Sequence, residues 1–181
     1  MKKIVILNGA PRKDGNTAAL VRAFVRGAEK AGNEVTEFYL QGMDIRPCLG
    51  CCGGGKDKSS PCVQKDDMER IYPAVDSADV LVLASPLYYW QMSGLLKTAI
   101  DRCFAMSEAG LNWRGNGRRT VLLMTAMGDA FEYTQSYFRS LVTHMGWKNG
   151  GQIVIGGLME KDSLAGMSEE LAKAEELGFT V

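Results

Sequence analysis

Histidine is nearly missing from this 181-residue chain, and proline is scarce, with one and five residues respectively. The one imidazole, His144, leaves little for histidine-based metal centres or catalysis, and its place near the end of a helical pattern suits a core or C-terminal capping role. Neither sign of charge is in excess, since 21 Lys and Arg balance 21 Asp and Glu. No basic run is long enough for a nucleic acid or membrane partner. No apolar stretch is long enough to cross a bilayer, and the run after Lys2-Lys3 is too short for a signal peptide, so the cytoplasm is the expected location. Disulfides are not expected either: the five cysteines are odd in number, four of them lie between Cys48 and Cys62, and this is not the pattern of a secreted framework. With 46% hydrophobic residues, one domain over residues 1–181 with a full core is expected.

What is present begins at the N-terminus. Lys3 to Leu7 is an apolar run of the buried-strand type, and it opens into Asn8-Gly9-Ala10-Pro11-Arg12-Lys13-Asp14-Gly15-Asn16-Thr17. Beyond Thr17, Leu20, Val21, Phe24, Val25 and Ala28 recur at the spacing of one helical face, and Gly32 is placed to end that helix. Asn16 and Thr17 are good N-cap types. A helix N-terminus offers unpaired N–H groups and the positive end of the dipole, which favour an anion, and Arg12 adds a planar donor suited to phosphate oxygens. Two common phosphate loops are excluded by spacing. Five residues separate Gly9 from Gly15 and Asn16 stands where a Walker lysine would be, while the middle glycine of a dinucleotide fingerprint is missing.

Uninterrupted apolar runs recur at Ile4–Leu7, Val80–Ala84, Val121–Met124 and Ile153–Ile155, as in strands of a parallel sheet covered on both faces. Glu34–Leu40 mixes apolar and polar residues and suits a sheet edge. Helical patterns lie between them, at Asp66–Ala78, Ser93–Met106, Phe131–Met145 and Ser168–Leu177, the last closed by Gly178. The alternation predicts an α/β fold, a three-layer, doubly wound, five-stranded parallel sheet. Ligands bind such folds outside the carboxyl ends of the strands, so the loops Asn8–Thr17, Ser85–Gln91 and Thr125–Asp129 are expected to meet there.

The second of these loops puts Tyr88, Tyr89 and Trp90 directly after a buried strand. Exposed rings at that point suit a flat, apolar ligand such as an isoalloxazine, with backbone N–H groups on either side of Pro86 free for its polar edge. A subunit interface or the top of the core is the other use for such rings. In the third loop, Gly128 permits close approach to a ring, Met127 and Met92 flank the expected pocket, and Asp129 reads as a helix cap. The polar stretch Ser107–Arg119, with Trp113 and Arg114, is read as a lid or a partner-subunit contact. Gly53–Ser60 reads as a flexible insertion, and Cys103 as a core residue.

The combination Asn8-Gly9-Ala10-Pro11-Arg12 with Gly15-Asn16-Thr17, Cys48-Leu49-Gly50-Cys51, Lys65-Asp66-Asp67-Met68, Ser85-Pro86-Leu87-Tyr88, Met92-Ser93-Gly94-Leu95-Leu96-Lys97 and Asp101-Arg102 resembles the flavodoxin-fold NAD(P)H-dependent FMN reductases, in particular their iron–sulfur flavoprotein branch. The resemblance implies strand order 2-1-3-4-5, FMN as cofactor, NAD(P)H as co-substrate, a small-molecule electron acceptor (flavin, quinone, nitro or azo compound, or metal) and a homodimer. It implies that Asn8, Ala10, Arg12, Asn16 and Thr17 serve the phosphate. Pro86, Leu87, Tyr88, Tyr89, Trp90, Thr125, Ala126, Met127 and Gly128 would serve the ring and ribityl chain. Ala10 stands where the family commonly has serine. No catalytic acid or base is implied, because the flavin carries the hydride step.

In the iron–sulfur branch the cysteines are evenly spaced. Here Gly54 takes the third place, leaving Cys48, Cys51, Cys52 and Cys62, with two of them adjacent. That set is awkward for a cluster or for zinc, so neither is expected. An electron carrier serving protein partners is the alternative function. The balanced charge favours an enzyme over such a carrier, which docks through strong negative charge.

Overall fold

The computed structural model describes residues 1–181. Three strands with consecutive apolar residues, β1 (Lys3–Asn8), β3 (Val80–Tyr88) and β5 (Arg119–Thr125), form the buried centre of a sheet. The half-polar β2 (Glu34–Tyr39) and the glycine-containing β6 (Lys148–Ile155) take its two edges. These five strands are all parallel, in the order β2-β1-β3-β5-β6. A two-residue strand, β4 (Gln91–Met92), turns back on β3 in antiparallel pairing. With β4 set aside, the order is the expected 2-1-3-4-5.

Side chains alternate across the sheet, so each strand feeds two cores. Val5, Leu7, Leu81, Leu83, Leu122 and Met124 face a layer made by α2 (Met68–Ser77), α3 (Gly94–Arg102) and α5 (Glu132–His144). Ile4, Ile6, Val80, Val82, Val121 and Leu123 face α1 (Asn16–Lys30) and α6 (Ser168–Thr180). Helices on both faces of a parallel sheet leave one edge, the carboxyl ends of the strands, free to bind ligands.

Four details differ from the sequence reading. The helix expected over Ser93–Met106 is interrupted at Cys103, after which α4 (Phe104–Glu108) runs on. Helix α6 is not closed by Gly178 but continues to Thr180, because Gly178 and Gly27 are contact points where α1 and α6 meet backbone to backbone. The stretch Ser107–Arg119 is no lid. It lies at the amino end of β5, where Trp113 and Trp147 stack edge to face at 4.9 Å and Trp147 Nε1 donates to the Trp113 carbonyl at 2.9 Å. Its Arg118 is buried and donates to the Val75 and Asn112 carbonyls. The Gly53–Ser60 insertion is fastened rather than loose: Gly54 N donates to Glu108 at 3.1 Å and Gly55 N to the Pro61 carbonyl at 2.8 Å.

Candidate functional site

Each loop at the carboxyl edge is shaped by backbone economy. Gly9 N donates to the Ala84 carbonyl at 2.8 Å, and a Cβ on Gly9 would stand 2.5 Å from Ser93 Oγ, so only glycine lets the loop cross α3 here. Ser93 fixes the crossing, since its Oγ donates to the Gly9 carbonyl at 2.8 Å and caps α3 by accepting from Leu96 N. Asn8 is buried beneath this turn, its Oδ1 accepting from Ala10 N at 2.9 Å and its Nδ2 donating to Glu37 at 2.7 Å. It builds the loop from below and is not among the residues lining the cleft.

Helix α1 opens without a side-chain cap. Gly15, rather than Asn16 or Thr17, holds the N-cap position, and the first turn contains no acidic residue. Its leading N–H groups therefore have no acceptor within the helix. Arg12 lies over this turn, its Nε 3.4 Å from where a Gly15 Cβ would be. Thr17 and Thr125 hydroxyls meet at 2.6 Å, joining the first loop to the third.

The second loop is the β3–β4 hairpin. Ser85 Oγ accepts from Ser93 N at 2.7 Å and donates to the Pro86 carbonyl at 2.7 Å, which sets the angle at which the hairpin leaves the sheet. Tyr89 and Trp90 form the tip with φ of 47° and 62°, and Thr134 Oγ1 donates to the Trp90 carbonyl at 2.7 Å. Tyr89 is 93% exposed. In the third loop, Ala126 N donates to the Ile155 carbonyl, while the Met127 and Ala126 carbonyls accept from Gly157 N and Leu158 N. Asp129 does not cap α5 with its side chain. Its backbone carbonyl accepts from Phe131 N instead.

These loops surround a cleft of about 780 Å³, within the ordinary range for small-molecule sites. Of the residues expected from the sequence, Ala10, Arg12, Asn16, Thr17, Pro86, Leu87, Tyr88, Tyr89, Trp90, Thr125, Ala126, Met127 and Gly128 all line it. A fourth wall, Leu158–Lys161, was missed. Gly156-Gly157 directly after the last apolar run was the available signal, because every strand of a parallel sheet delivers its following loop to the same edge.

The cysteines lie elsewhere. Cys48, Cys51 and Cys52 are exposed, Cys62 is half-buried and Cys103 is buried in the core. Burial pushes the Cys103 thiol up to about 12. No three His, Cys, Asp or Glu side chains converge as a ligand set. A side chain at position 54 would collide with Glu108 and the Pro61 carbonyl. Cys48, Cys51, Cys52 and Cys62 do line one small cavity beside Arg102 and Glu108, but with Cys51 and Cys52 adjacent they are an awkward donor set for an iron–sulfur cluster. Beneath this segment Arg102 and Asp66, both fully buried, form a bidentate pair at 2.5 and 3.1 Å. Arg102 also donates to the Arg46 carbonyl at 2.8 Å. Burial alone would raise the Asp66 carboxyl, but its bonds from Arg102 and from the Arg46 and Met68 amides outweigh this and hold it below the ordinary value.

A doubly wound parallel sheet with an uncapped helix N-terminus and an aromatic hairpin opening into one cleft is the arrangement of a flavodoxin-like mononucleotide-binding protein. Residues 2–157 match the family model described as NADPH-dependent FMN reductase, and the chain belongs to that family of flavin oxidoreductases. It is 29% identical to an iron–sulfur flavoprotein of Archaeoglobus fulgidus over 185 residues, covering 100% of this chain and 79% of the relative. A second iron–sulfur flavoprotein of that organism is 32% identical over 124 residues, 68% of this chain and 59% of its own length. Several further relatives are matched over about half their length. Among solved structures, an NAD(P)H:quinone oxidoreductase from Methanothermobacter marburgensis superposes with a TM-score of 0.74 at 20% identity, covering 97% of this chain and 94% of that one, a likeness of fold.

Proposed function

We propose that this chain is a one-domain FMN-dependent NAD(P)H oxidoreductase that passes electrons to a small acceptor in the cleft at the carboxyl edge of its sheet. The observation that carries the reading is the opening of the uncapped α1 N-terminus and the exposed aromatic hairpin into the same cavity. The residues fit the cofactor from end to end. Free amides of the first turn of α1, with Arg12, suit a phosphate dianion. Pro86, Leu87, Tyr88 and Trp90 on one side and Thr125 to Gly128 on the other suit a flat ring. A Cβ on Gly128 would meet no atom within 4 Å, so this position faces open space.

Bound there, FMN would supply the redox chemistry between a nicotinamide and the acceptor. The chain's own part is to bind, orient and admit. No residue is proposed as a catalytic acid or base. Flavin, quinone, nitro or azo compounds and metal ions are the acceptor classes. The apolar side chains Tyr89, Trp90 and Met127 of the cleft, together with Tyr133 of α5, are exposed and support a homodimer whose partner covers them. The cytoplasm is the proposed location. The iron–sulfur flavoprotein names of the relatives favour the electron carrier as a second reading. The cluster itself is not proposed, given the donor set.

The first test is the visible spectrum of protein purified without oxygen, before and after NADPH or NADH. A bound-flavin spectrum that bleaches on addition is expected. A colourless chain that takes up no added FMN overturns the reading, and salt-sensitive electron transfer to a protein without nicotinamide turnover moves it to the carrier. Within the site, Arg12→Ala is expected to raise the FMN dissociation constant roughly 10- to 100-fold, the loss of one charge-assisted phosphate contact. Because Arg12 is exposed, apoprotein stability should change by less than about 0.5 kcal/mol. Calorimetric FMN titration and thermal melts check the two halves, and equal damage to both would make the loop merely structural.

A further inference from the structure

Asn16 faces the cleft at the first turn of α1, where direct contact with a phosphate was expected. Its side chain is already engaged. Nδ2 donates to the Glu160 carbonyl at 2.7 Å, and Oδ1 accepts from Leu164 N at 2.9 Å. Since a carbonyl can only accept and an amide N–H can only donate, these partners fix the orientation of the carboxamide. No other short side chain offers both roles at that reach.

What Asn16 grips is the missing wall. The segment after β6 is anchored upstream where Gly157 N and Leu158 N donate to the Met127 and Ala126 carbonyls. Leu158 and Leu164 are buried on either side of an exposed Met159–Lys161. Within the segment, Ser163 Oγ accepts from Glu160 N at 2.9 Å and donates to the Glu160 carbonyl at 3.1 Å. Its tie to the phosphate loop is Asn16, which is itself only 8% exposed. Lys161 and Arg12 are the cations lining the cleft.

We infer that Asn16 is a positioning residue that latches the 158–164 segment over the first loop, and that the segment so held places Lys161 as a second cation for the cofactor phosphate. The inference rests on the flavin reading for its Lys161 half. The latch itself belongs to the apoprotein.

Hydrogen exchange of the apoprotein therefore tests the first half. Asn16→Ala and Asn16→Ser are both expected to speed exchange across 158–164, at Leu164 N above all, while leaving the β1 and β3 amides protected. Two variants are used so that one folding failure does not remove the test. Unchanged exchange at Leu164 in a folded variant overturns the latch. FMN titration tests the second half. Asn16→Ala and Lys161→Gln are each expected to weaken binding about tenfold, with only the Asn16 variant changing exchange. The double variant should be little weaker than Asn16→Ala alone, because the latch acts through Lys161. Multiplying effects, with exchange unchanged, would make Asn16 a direct ligand and overturn the inference. If the native chain binds no FMN, the flavin reading and the Lys161 half fall together, and exchange still decides the latch.

Discussion

Arg102→Leu is expected to cost about 3–5 kcal/mol of folding stability at neutral pH, the usual result of leaving a buried charge without its partner. The variant removes the guanidinium, so the Asp66 carboxylate, whose side chain is fully buried, loses both of its guanidinium bonds and keeps the Arg46 and Met68 amides and the more distant Arg46 guanidinium at 3.7 Å. The pH dependence separates this cause from simple loss of packing. In the native chain the Asp66 carboxyl is held below its ordinary value of ~3.9. Its stabilising contribution is therefore complete above that pH and is lost as pH falls through the lower folded value. In the variant, burial is left without its strongest counterweight, so the carboxyl takes up a proton at higher pH than in the native chain and the penalty shrinks on acidification. Urea titrations of both proteins at about pH 7.5 and about pH 4.5 should show the gap narrowing. A constant gap would assign the loss to packing. Because Arg102 also holds the Arg46 carbonyl, the variant should be cut faster by proteases between residues 47 and 64.

Gly178→Val should be as damaging for a different reason. A Cβ at 178 would stand 2.0 Å from the Phe24 carbonyl oxygen and 3.0 Å from Ala28 N, both backbone atoms of α1 that have no rotamer to escape into. The two helices must separate, at an expected cost of about 3 kcal/mol or more. For a chain of this size that lowers the melting temperature by roughly 10 °C. Gly166→Ala, where an added Cβ meets no atom within 4 Å, is the control and should change stability by less than about 0.5 kcal/mol. Comparable losses in the two variants would show that loss of glycine, rather than helix contact, is responsible.

How far the sequence could be read follows from how local each signal is. The parallel sheet was legible because β1, β3 and β5 are apolar along their buried length, and the three loops followed because parallel strands all end on one edge. Signals that depend on a distant partner were not. Gly178 has the local chemistry of a helix stop, and only α1 lying across it turns it into a packing contact. Asn16 has the chemistry of a phosphate contact, and its bonds to Glu160 and Leu164, more than 140 positions away, could not be read from its own surroundings. The Ser107–Arg119 stretch is polar enough to suggest a lid, yet Trp113 finds Trp147 beneath the sheet and takes the stretch to the end opposite the cleft. The Asp66–Arg102 pair spans 36 positions, so neither residue announces its partner. Edge strand β6 was seen only at Ile153–Ile155, since Asn149-Gly150-Gly151 offers no apolar pattern, although that part pairs with β5 across a register shift.

The hairpin tip is where this fold departs most from what an isolated backbone would choose. Two-residue turns with both centres in the left-handed region are the domain of asparagine and glycine, and here they hold a tyrosine and a tryptophan. A lineage selected for heat resistance alone would drift away from these two residues, because each is a standing cost to the turn that carries it. Their presence at the mouth of the cleft ties that local strain to what the rings meet rather than to how well the chain folds. The tip is also the point from which a change of acceptor preference can evolve without disturbing the sheet behind it.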